Sequence, residues 1–402
     1  MAADAARAER RRGTQFLLLY ALANAGGFVA YVPFLTLLLP SKMAAVAGGQ
    51  RVEWLAAATL AGAVSASVSN IASGWASDRS GSRRPWVAAG LLLTLLSFAI
   101  IHFASTPPAI VGAIILYQAA LNMMLSPLAA WAADAVPDER KGLLGGLMGG
   151  GQPLGALSGI VVTLPFLARP GMQLAATCAM FAALILPLLT LSGHGTRFDS
   201  TAPMQQEQQQ RAVPRFDLSL LWFARLLVQV AGSILFAFLL YYFQSLPGRA
   251  VSEAEIARVS GFTLIAAFPM ALLLGRASDR AGTRRPFLFA VAVAMSVGLA
   301  IMGMTRGFAL AVAGYALFIC GLTIFLSLHS VTAMQWLPSP RRRGRDLGLF
   351  NLTNTLPALL SPLLAVGLIR NYGFGGLMMA LAAIVALAAA LILAMKGELK
   401  AP

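Results

Sequence analysis

The sequence GWASDRSGSRRPW at residues 74–86 decides the fold, because it recurs as GRASDRAGTRRPF at residues 275–287. The two copies are 201 residues apart in a chain of 402 residues, so each half of the chain carries one copy. Pro137 and Pro338 repeat at the same offset. Similarity at an offset of half the chain predicts two related halves that share one architecture.

Long apolar segments flank both copies of the repeat. The chain is 58% hydrophobic and 11% charged, whereas soluble proteins carry about 25% charged residues. Uncharged runs of about 20 residues recur along the sequence, and this is the length that a helix needs to cross the hydrocarbon layer. We therefore predict an all-α membrane protein with twelve transmembrane helices in two pseudo-symmetric six-helix bundles.

Lys and Arg are distributed unevenly among the segments that join these spans. With a cytoplasmic N-terminus, 22 of the 30 Lys and Arg residues lie in cytoplasmic segments and six lie outside, with Arg225 and Arg258 left over. The positive-inside rule produces such a bias, so we predict a multi-pass inner-membrane protein with both termini in the cytoplasm. Scattered short clusters also argue against nucleic acid as a partner, despite the net charge of +15.

The apolar runs also set the predicted boundaries. In chain order we predict a basic N-terminus at 1–14, a six-helix bundle at 15–192, a linker at 193–215, a second six-helix bundle at 216–396 and a C-terminus at 397–402. The linker is polar and rich in Gln, a composition typical of flexible connections. Cys178 and Cys320 lie inside predicted spans, where we expect small packing residues rather than a disulfide or metal ligands.

The repeated stretch resembles the loop signature of the major facilitator superfamily, which runs Gly, three residues, Asp-Arg, one residue, Gly and then basic residues. Ser82 and Thr283 each stand where the common signature has a basic residue. The Arg-Arg-Pro ending and RDLGLFNLTNTLP at residues 345–357 look like the glycoside–pentoside–hexuronide sugar–cation symporters and their sucrose-transporter-like relatives. The resemblance covers residues 13–396 and implies the superfamily fold.

The two loops are predicted to form a cytoplasmic gate. Asp78 lies at the membrane boundary, where a carboxylate can pair with basic residues or a helix N-terminus of the opposite half. Such contacts favour the outward-facing state, and the resemblance implies the same role for Asp279. The arginines could instead act only as topology determinants, and Asp134 could be a solvated interfacial charge. The predicted gating residues are Gly74, Asp78, Arg79, Arg83, Asp134, Gly275, Asp279, Arg280 and Arg284.

Polar residues inside the spans mark a candidate pathway, because an unsatisfied polar group in hydrocarbon is costly. They gather in the first, second, fourth, fifth, seventh, tenth and eleventh spans, whereas the third, ninth and twelfth hold almost none. The predicted solute-binding residues are Asn24, Tyr31, Gln118, Asn122, Arg225, Gln229, His329, Asn351 and Asn354. The amides among them could equally join neighbouring helices.

Three of these residues are predicted to share one depth. At a rise of about 1.5 Å per residue, Arg225, His329 and Asn354 each lie about 12–13 Å from the cytoplasmic end of their span. Arg225 could bind a carboxylate, a phosphate or a sugar hydroxyl, or it could extend to the cytoplasmic surface. His329 could carry a proton, or it could only hydrogen-bond between helices.

The predicted function is secondary active transport of a small polar solute by alternating access. We place a sugar or glycoside-like solute first and efflux of drugs or of amphipathic or anionic metabolites second. Proton coupling stays open, whereas sodium coupling is disfavoured because the first two spans hold no acid apart from Glu53. We expect a monomer in the lipid bilayer with a small-molecule solute as its partner. No enzyme activity, cofactor or metal is expected, because the three histidines are scattered and the acids cluster in loops.

Overall fold

A computed structural model of the protein describes the backbone of residues 2–136, 144, 147–148, 150–167, 169–192, 215–248, 250–336 and 343–395. Within these ranges the side chains of residues 2–12, 133–134, 170, 215, 279, 331, 333–336, 343–352 and 354–355 are not described. The chain divides into two compact units, Met1–Pro203 and Met204–Pro402. The predicted linker at 193–215 lies outside the described residues except for Arg215, and so does the predicted C-terminus at 397–402.

The first unit is built from helices. Its α-helices are α1 (Ala2–Pro33), α2 (Leu39–Ala47), α3 (Arg51–Ser80), α4 (Arg84–Phe103), α5 (Pro107–Ala135), α6 (Gly151–Val162) and α7 (Pro170–Leu191). A π-helical segment, Phe34–Leu38, joins α1 to α2, so the two form one continuous span. The chain then turns at Gly48, whose φ of 53° lies in the left-handed region, and α3 follows.

The second unit repeats this plan. Its helices are α8 (Arg215–Gln244), α9 (Glu253–Arg280), α10 (Arg285–Met304), α11 (Phe308–Trp336) and α12 (Arg343–Ala394). Gly373 interrupts α12 with a φ of 66°, and the interruption separates the predicted eleventh span from the twelfth. Glycine reaches this backbone conformation without the steric cost that a side chain would add.

Nine described helical regions are long and apolar enough to cross a membrane. Two of them, Gly13–Ser80 and Leu356–Ala394, contain the breaks at Gly48 and Gly373 and therefore hold two spans each. The shorter apolar helix α6 lies within the predicted fifth span. With it, the described helices account for all twelve predicted spans, and the predicted all-α fold class is confirmed.

Matching helix pairs pack in the two units. The second and fourth spans pack together as α3 with α5 and as α9 with α11. The first and fifth spans pack as α1 with α6, and their counterparts as α8 with α12. The third and sixth spans pack as α4 with α7, and as α10 with the later part of α12. The internal repeat of the sequence is therefore a repeat of packing.

The repeated loop makes a tight turn between two helices. Gly81 and Gly282 have φ angles of 65° and 67°, so both lie in the left-handed region that commonly ends a helix. A proline in the first turn of α4 and of α10 then starts the next helix, where its missing N–H group removes no helical hydrogen bond. Glycine and proline thus fix the turn that connects the second and third spans of each unit.

One arginine of each loop binds the end of another helix. Arg84 donates to the carbonyl oxygen of Leu189 in the last turn of α7. Arg285, its counterpart, donates through Nε to the carbonyl oxygen of Ile392 at 3.2 Å and through Nη2 to that of Leu393, at the end of α12. The last carbonyls of a helix have no partner within it and carry partial negative charge. Each arginine therefore ties the third span to the sixth span of its unit.

Loss of this tie should destabilise the first unit. We expect Arg84→Met to lower the free energy of unfolding by about 1–2 kcal/mol, since a charged donor to the α7 carbonyls is removed. Thermal denaturation of the purified protein in detergent measures the loss, and amide hydrogen exchange should rise in the last turn of α7. The matched control is Arg169→Met, which removes the same charge at an exposed position of the same unit. Equal stability of the two variants would contradict the assignment.

Candidate functional site

The structure brings Arg225 and His329 together in the second unit. Nη1 of Arg225, on α8, lies 3.3 Å from Nδ1 of His329, on α11. The same Nη1 atom donates a hydrogen bond of 3.0 Å to Oγ of Ser330. Arg225 and Ser330 are half-buried, whereas His329 is 0% exposed. These three side chains are called the Arg225 cluster below.

His329 is held on its other side by the backbone of α8. Its Nε2 atom lies 2.9 Å from the carbonyl oxygen of Leu221, one helical turn before Arg225. The ring of Phe325 stacks on the imidazole with a centroid distance of 5.6 Å and an interplanar angle of 29°. The imidazole therefore contacts two successive turns of α8 and fixes α11 against that helix.

Ser330 was not among the predicted site residues. A serine in a transmembrane helix often bonds to the carbonyl oxygen of the preceding turn, so its presence alone carries no signal for a site. Its position next to His329 was the available clue, because neighbouring residues on α11 can both reach the same side chain of α8. The contact became evident only when the partner of α11 was known.

Among the other predicted site residues of the second unit, the structure describes the side chain of Gln229 alone. Gln229 is half-buried and follows Arg225 by one turn on α8. The side chains of Asn351 and Asn354 lie outside the described part of the chain, although their helix α12 packs on α8. Ser361 of α12 donates to the carbonyl oxygen of Val230 at 3.3 Å. The predicted common depth of Asn354 and Arg225 stays a prediction.

In the first unit, Gln118 and Asn122 contact helices rather than open space. Asn122 donates to the carbonyl oxygen of Gln118 at 2.9 Å and accepts from Nδ2 of Asn70 at 3.3 Å. Gln118 is 7% exposed and lies against Gly62 of α3. The contacts with Asn70 and Gly62 join α5 to α3, which is the alternative that the sequence left open, whereas the bond between Asn122 and Gln118 lies within α5. Solute binding by the two amides stays a prediction.

Serine hydroxyl groups strengthen the same α3–α5 contact. Ser65 donates to the carbonyl oxygen of Ile115 at 2.7 Å, and Ser69 donates to that of Ala119 at 2.6 Å. The donors are four residues apart, as are the acceptors, so one face of α3 follows one face of α5. Interhelical hydrogen bonds of this type are worth about 0.6 kcal/mol each in a membrane protein.

Asn24 and Tyr31 lie on one face of α1, seven residues apart. Both are half-buried. Nδ2 of Asn24 is buried and has no hydrogen-bond partner among the described residues. Helix α6 packs against this face so closely that a Cβ atom on Gly155 would lie 2.8 Å from the carbonyl oxygen of Phe28. The glycine-rich start of α6 therefore serves close packing on α1, and solute binding by Asn24 and Tyr31 stays a prediction.

Two of the predicted gating residues of the first loop contact each other. Asp78, which is 64% exposed, forms an ion pair with Arg83 in its own loop. Arg83 also donates to Oγ of Ser77 at 2.7 Å, while Arg79 lies over the ring of Trp75 at 5.6 Å from its centroid. A Cβ atom on Gly74 would lie 2.8 Å from Oγ of Ser126, so glycine permits close approach of α3 to α5.

The second loop differs in detail from the first. Arg284 is 3% exposed, whereas Arg280 is exposed and Gly275 has open space around it. The side chains of Asp279 and Asp134 lie outside the described part of the chain. Gating by any residue of the two loops stays a prediction.

Cys178 and Cys320 are free, and the described residues contain no group of three or more His, Cys, Asp or Glu side chains that could hold a metal ion.

Comparison with known families decides the assignment of the chain. A sequence model of the Major Facilitator Superfamily matches residues 16–335 and again residues 221–401. The chain belongs to the Major Facilitator Superfamily. It is therefore a multi-pass membrane transporter of that superfamily, and the resemblance seen in the repeated loops is confirmed at this level. No curated protein matches the chain.

Solved structures share the superfamily fold. The nucleoside transporter NupG is 16% identical, with a TM-score of 0.71, and the match covers 94% of this chain and 98% of that one. A bacterial homologue of the human lysosomal transporter Spinster, in an inward-facing and occupied conformation, is 14% identical, with a TM-score of 0.68. The match covers 94% of this chain and 95% of that one. The human organic anion transporter MFSD10 is 14% identical, with a TM-score of 0.60, and the match covers 95% of this chain and 99% of that one. At these identities the likeness shows the fold alone.

The close contact between α1 and α6 should not tolerate a side chain. We expect Gly155→Ala to destabilise the transporter by about 1–3 kcal/mol, because the added methyl group meets the backbone of α1 and forces the helices apart. Thermal denaturation in detergent tests this. Gly112→Ala on α5 is the matched control, since a Cβ atom there meets nothing within 4 Å. A Gly155→Ala variant as stable as the control would show that α1 and α6 are not in tight contact.

Proposed function

We propose that this superfamily member is a secondary active transporter that moves a small polar solute across the inner membrane by rocker-switch alternating access. The Arg225 cluster carries the proposal for the solute site. In this proposal both termini are cytoplasmic, the protein acts as a monomer, and the loops around Asp78 and Asp279 gate the cytoplasmic side. The positive-inside bias of the loops supports that orientation.

A cation inside a span supports a role in the pathway. Placing an arginine near the centre of a transmembrane helix costs about 2.5–3.5 kcal/mol on insertion scales, and such residues commonly mark solute or ion pathways. Arg225 lies ten residues into α8 and directs Nη1 toward Ser330 and His329 instead of along its own helix. These contacts support the pathway interpretation over simple extension to the cytoplasmic surface.

The donors of the cluster suit a solute rich in oxygen atoms. A guanidinium has five N–H donors in a rigid plane and can bind two oxygen atoms at once. The Ser330 hydroxyl accepts from Arg225, so its own O–H group can donate to a second acceptor. Sugar hydroxyl groups, which both donate and accept, fit this arrangement, and we place a sugar or glycoside-like solute first.

A second candidate is efflux of an anionic metabolite. The observation that favours it is the charge of Arg225, which is positive at every physiological pH. A carboxylate or phosphate group of a solute would be attracted to this guanidinium. A hydrophobic cation would be repelled, which disfavours cationic drugs as solutes.

Counterflow in proteoliposomes tests both candidates with a matched pair of solutes. D-glucose and D-glucuronate share one ring and differ in a neutral hydroxymethyl group against a carboxylate, and ethidium serves as the cationic dye. We expect at least one of the two sugars to be transported and ethidium to be excluded. Arg225→Met should raise the KM of the transported sugar about tenfold or more, since a charged hydrogen bond contributes about 1.5–3 kcal/mol.

The control is Arg258→Met, which removes one positive charge from an exposed position of the same unit. It should leave the KM unchanged. Transport of a sugar with unchanged KM in Arg225→Met would remove the Arg225 cluster from the solute site. Transport of ethidium, with neither sugar accepted, would favour drug efflux instead.

A further inference from the structure

The two contacts of the His329 ring determine which of its nitrogen atoms carries hydrogen. The carbonyl oxygen of Leu221 can only accept a hydrogen bond, so Nε2 of His329, 2.9 Å away, must donate. The guanidinium of Arg225 can only donate, so Nδ1, 3.3 Å from Nη1, must accept and cannot carry hydrogen. Both contacts together require the neutral imidazole with hydrogen on Nε2.

We propose that His329 is a positioning residue: as a neutral hydrogen-bond acceptor it orients the guanidinium of Arg225, and it is not the group that carries a coupling proton. The inference rests on the proposed role of Arg225 in solute binding. It decides between the two roles that the sequence allows for His329, a proton carrier and a hydrogen bond between helices, and it gives the second role a function.

Addition of a proton to Nδ1 would destroy the arrangement. The ring would lose its acceptor for Arg225, and an imidazolium would lie 3.3 Å from a guanidinium nitrogen. Two like charges at this distance disfavour each other strongly where water is scarce. The ring cannot easily turn away, because Nε2 is bonded to α8 and Phe325 stacks on its face. With 0% exposure, the ring also has no surface from which to exchange a proton directly with water.

In the sequences of the described helices around the imidazole, the charged residues other than Arg225 lie nearer the helix ends. Arg225 faces the imidazole from α8, and Asp217 lies two turns nearer the start of that helix. Residues 259–275 of α9 and 286–304 of α10, the helices that pack on α11, contain no charged side chain. The charged residues at their ends are Glu253, Glu255, Arg258, Arg276, Asp279, Arg280 and Arg285. On α12, Asp346 lies near the start of the helix, and its side chain is outside the described part of the chain.

Nuclear magnetic resonance of the full-length protein labelled with ¹⁵N-histidine tests the inference without a known solute. The chain has three histidines, so the signals of His329 are assigned by their loss in His329→Asn. We expect His329 to show one protonated and one bare ring nitrogen from about pH 8 to about pH 5.5, the range in which an ordinary histidine titrates. Free ¹⁵N-histidine in the same buffers provides the reference for a ring that titrates in this range.

Conversion of His329 to the doubly protonated form within this range would overturn the inference. So would the opposite neutral tautomer, with hydrogen on Nδ1, because that form cannot accept from Arg225. The tautomer of the ring is read from the histidine signals alone, so this test is decided even if transport assays remove Arg225 from the solute site.

Two variants of His329 test the positioning role in counterflow of D-glucose and D-glucuronate. Asparagine keeps an acceptor near the place of Nδ1 but cannot be protonated, whereas glutamine keeps a donor near the place of Nε2. We expect His329→Asn to keep the KM within about threefold of the wild-type value and His329→Gln to raise it about tenfold, as loss of one hydrogen bond to a charged group predicts. A pH gradient should affect uptake by His329→Asn as it affects uptake by the wild type. A pH gradient that drives uptake by the wild type but not by His329→Asn, with counterflow intact in both, would instead identify His329 as the proton carrier.

Discussion

The absence of water from the hydrocarbon layer is the constraint on which this structure depends, because every polar group there must be satisfied by the protein itself. Helices meet this demand along their length but leave carbonyl groups without partners at their last turn. The chain supplies cations at these ends. Arg84 binds the end of α7, Arg285 binds the end of α12, and Lys42 donates to the carbonyl oxygen of His102 at the end of α4 at 3.1 Å. Some of the basic residues whose distribution predicts the membrane topology therefore also bind the ends of helices.

The same constraint separates two kinds of polar residue within the spans. Ser65, Ser69 and Asn122 meet it with partners on neighbouring helices, and so their polarity contributes to packing. Arg225 differs because its charge persists whatever its neighbours are. In the proposed mechanism Ser330 and a neutral His329 set the orientation of its guanidinium, which binds the solute. Polar residues that join helices and polar residues proposed to bind a solute therefore differ in their charge and in their contacts. Amino-acid composition alone does not distinguish the two kinds.

Much of the fold followed from the sequence, because the features that determine it are periodic or extend over long segments. The 201-residue repeat, the long uncharged runs and the bias of Lys and Arg report bilayer thickness and membrane orientation, and the twelve-helix class rests on them. Counting residues along each span also placed Arg225 and His329 at one depth, and the structure joins them at 3.3 Å. Helical rise is regular enough that depth can be read from residue number.

Helix neighbours were harder to predict, since periodicity gives the face of a residue but not the helix that covers it. The partner of Asn122 on α3, the contact of Ser330 with Arg225 and the binding of Arg84 to the end of α7 all depend on packing between segments far apart in sequence. Asp78 forms an ion pair with Arg83 of its own loop, which the sequence did not predict, and its pairing with the opposite half stays a prediction.

The central claim, a fixed cation that a solute can reach, is tested most directly by the reactivity of Ser330→Cys in a protein whose Cys178 and Cys320 are replaced by alanine. The rates at which an anionic and a cationic methanethiosulfonate reagent of similar size modify the introduced thiol are measured. Each rate is divided by the rate at which the same reagent modifies a small free thiol in solution. In water, opposite charges about 4 Å apart attract by about 1 kcal/mol and like charges repel by as much. The difference of about 2 kcal/mol should favour the anionic reagent about thirtyfold, and Arg225→Met should abolish that preference. Equal normalised rates, or a preference unaffected by Arg225→Met, would contradict the claim.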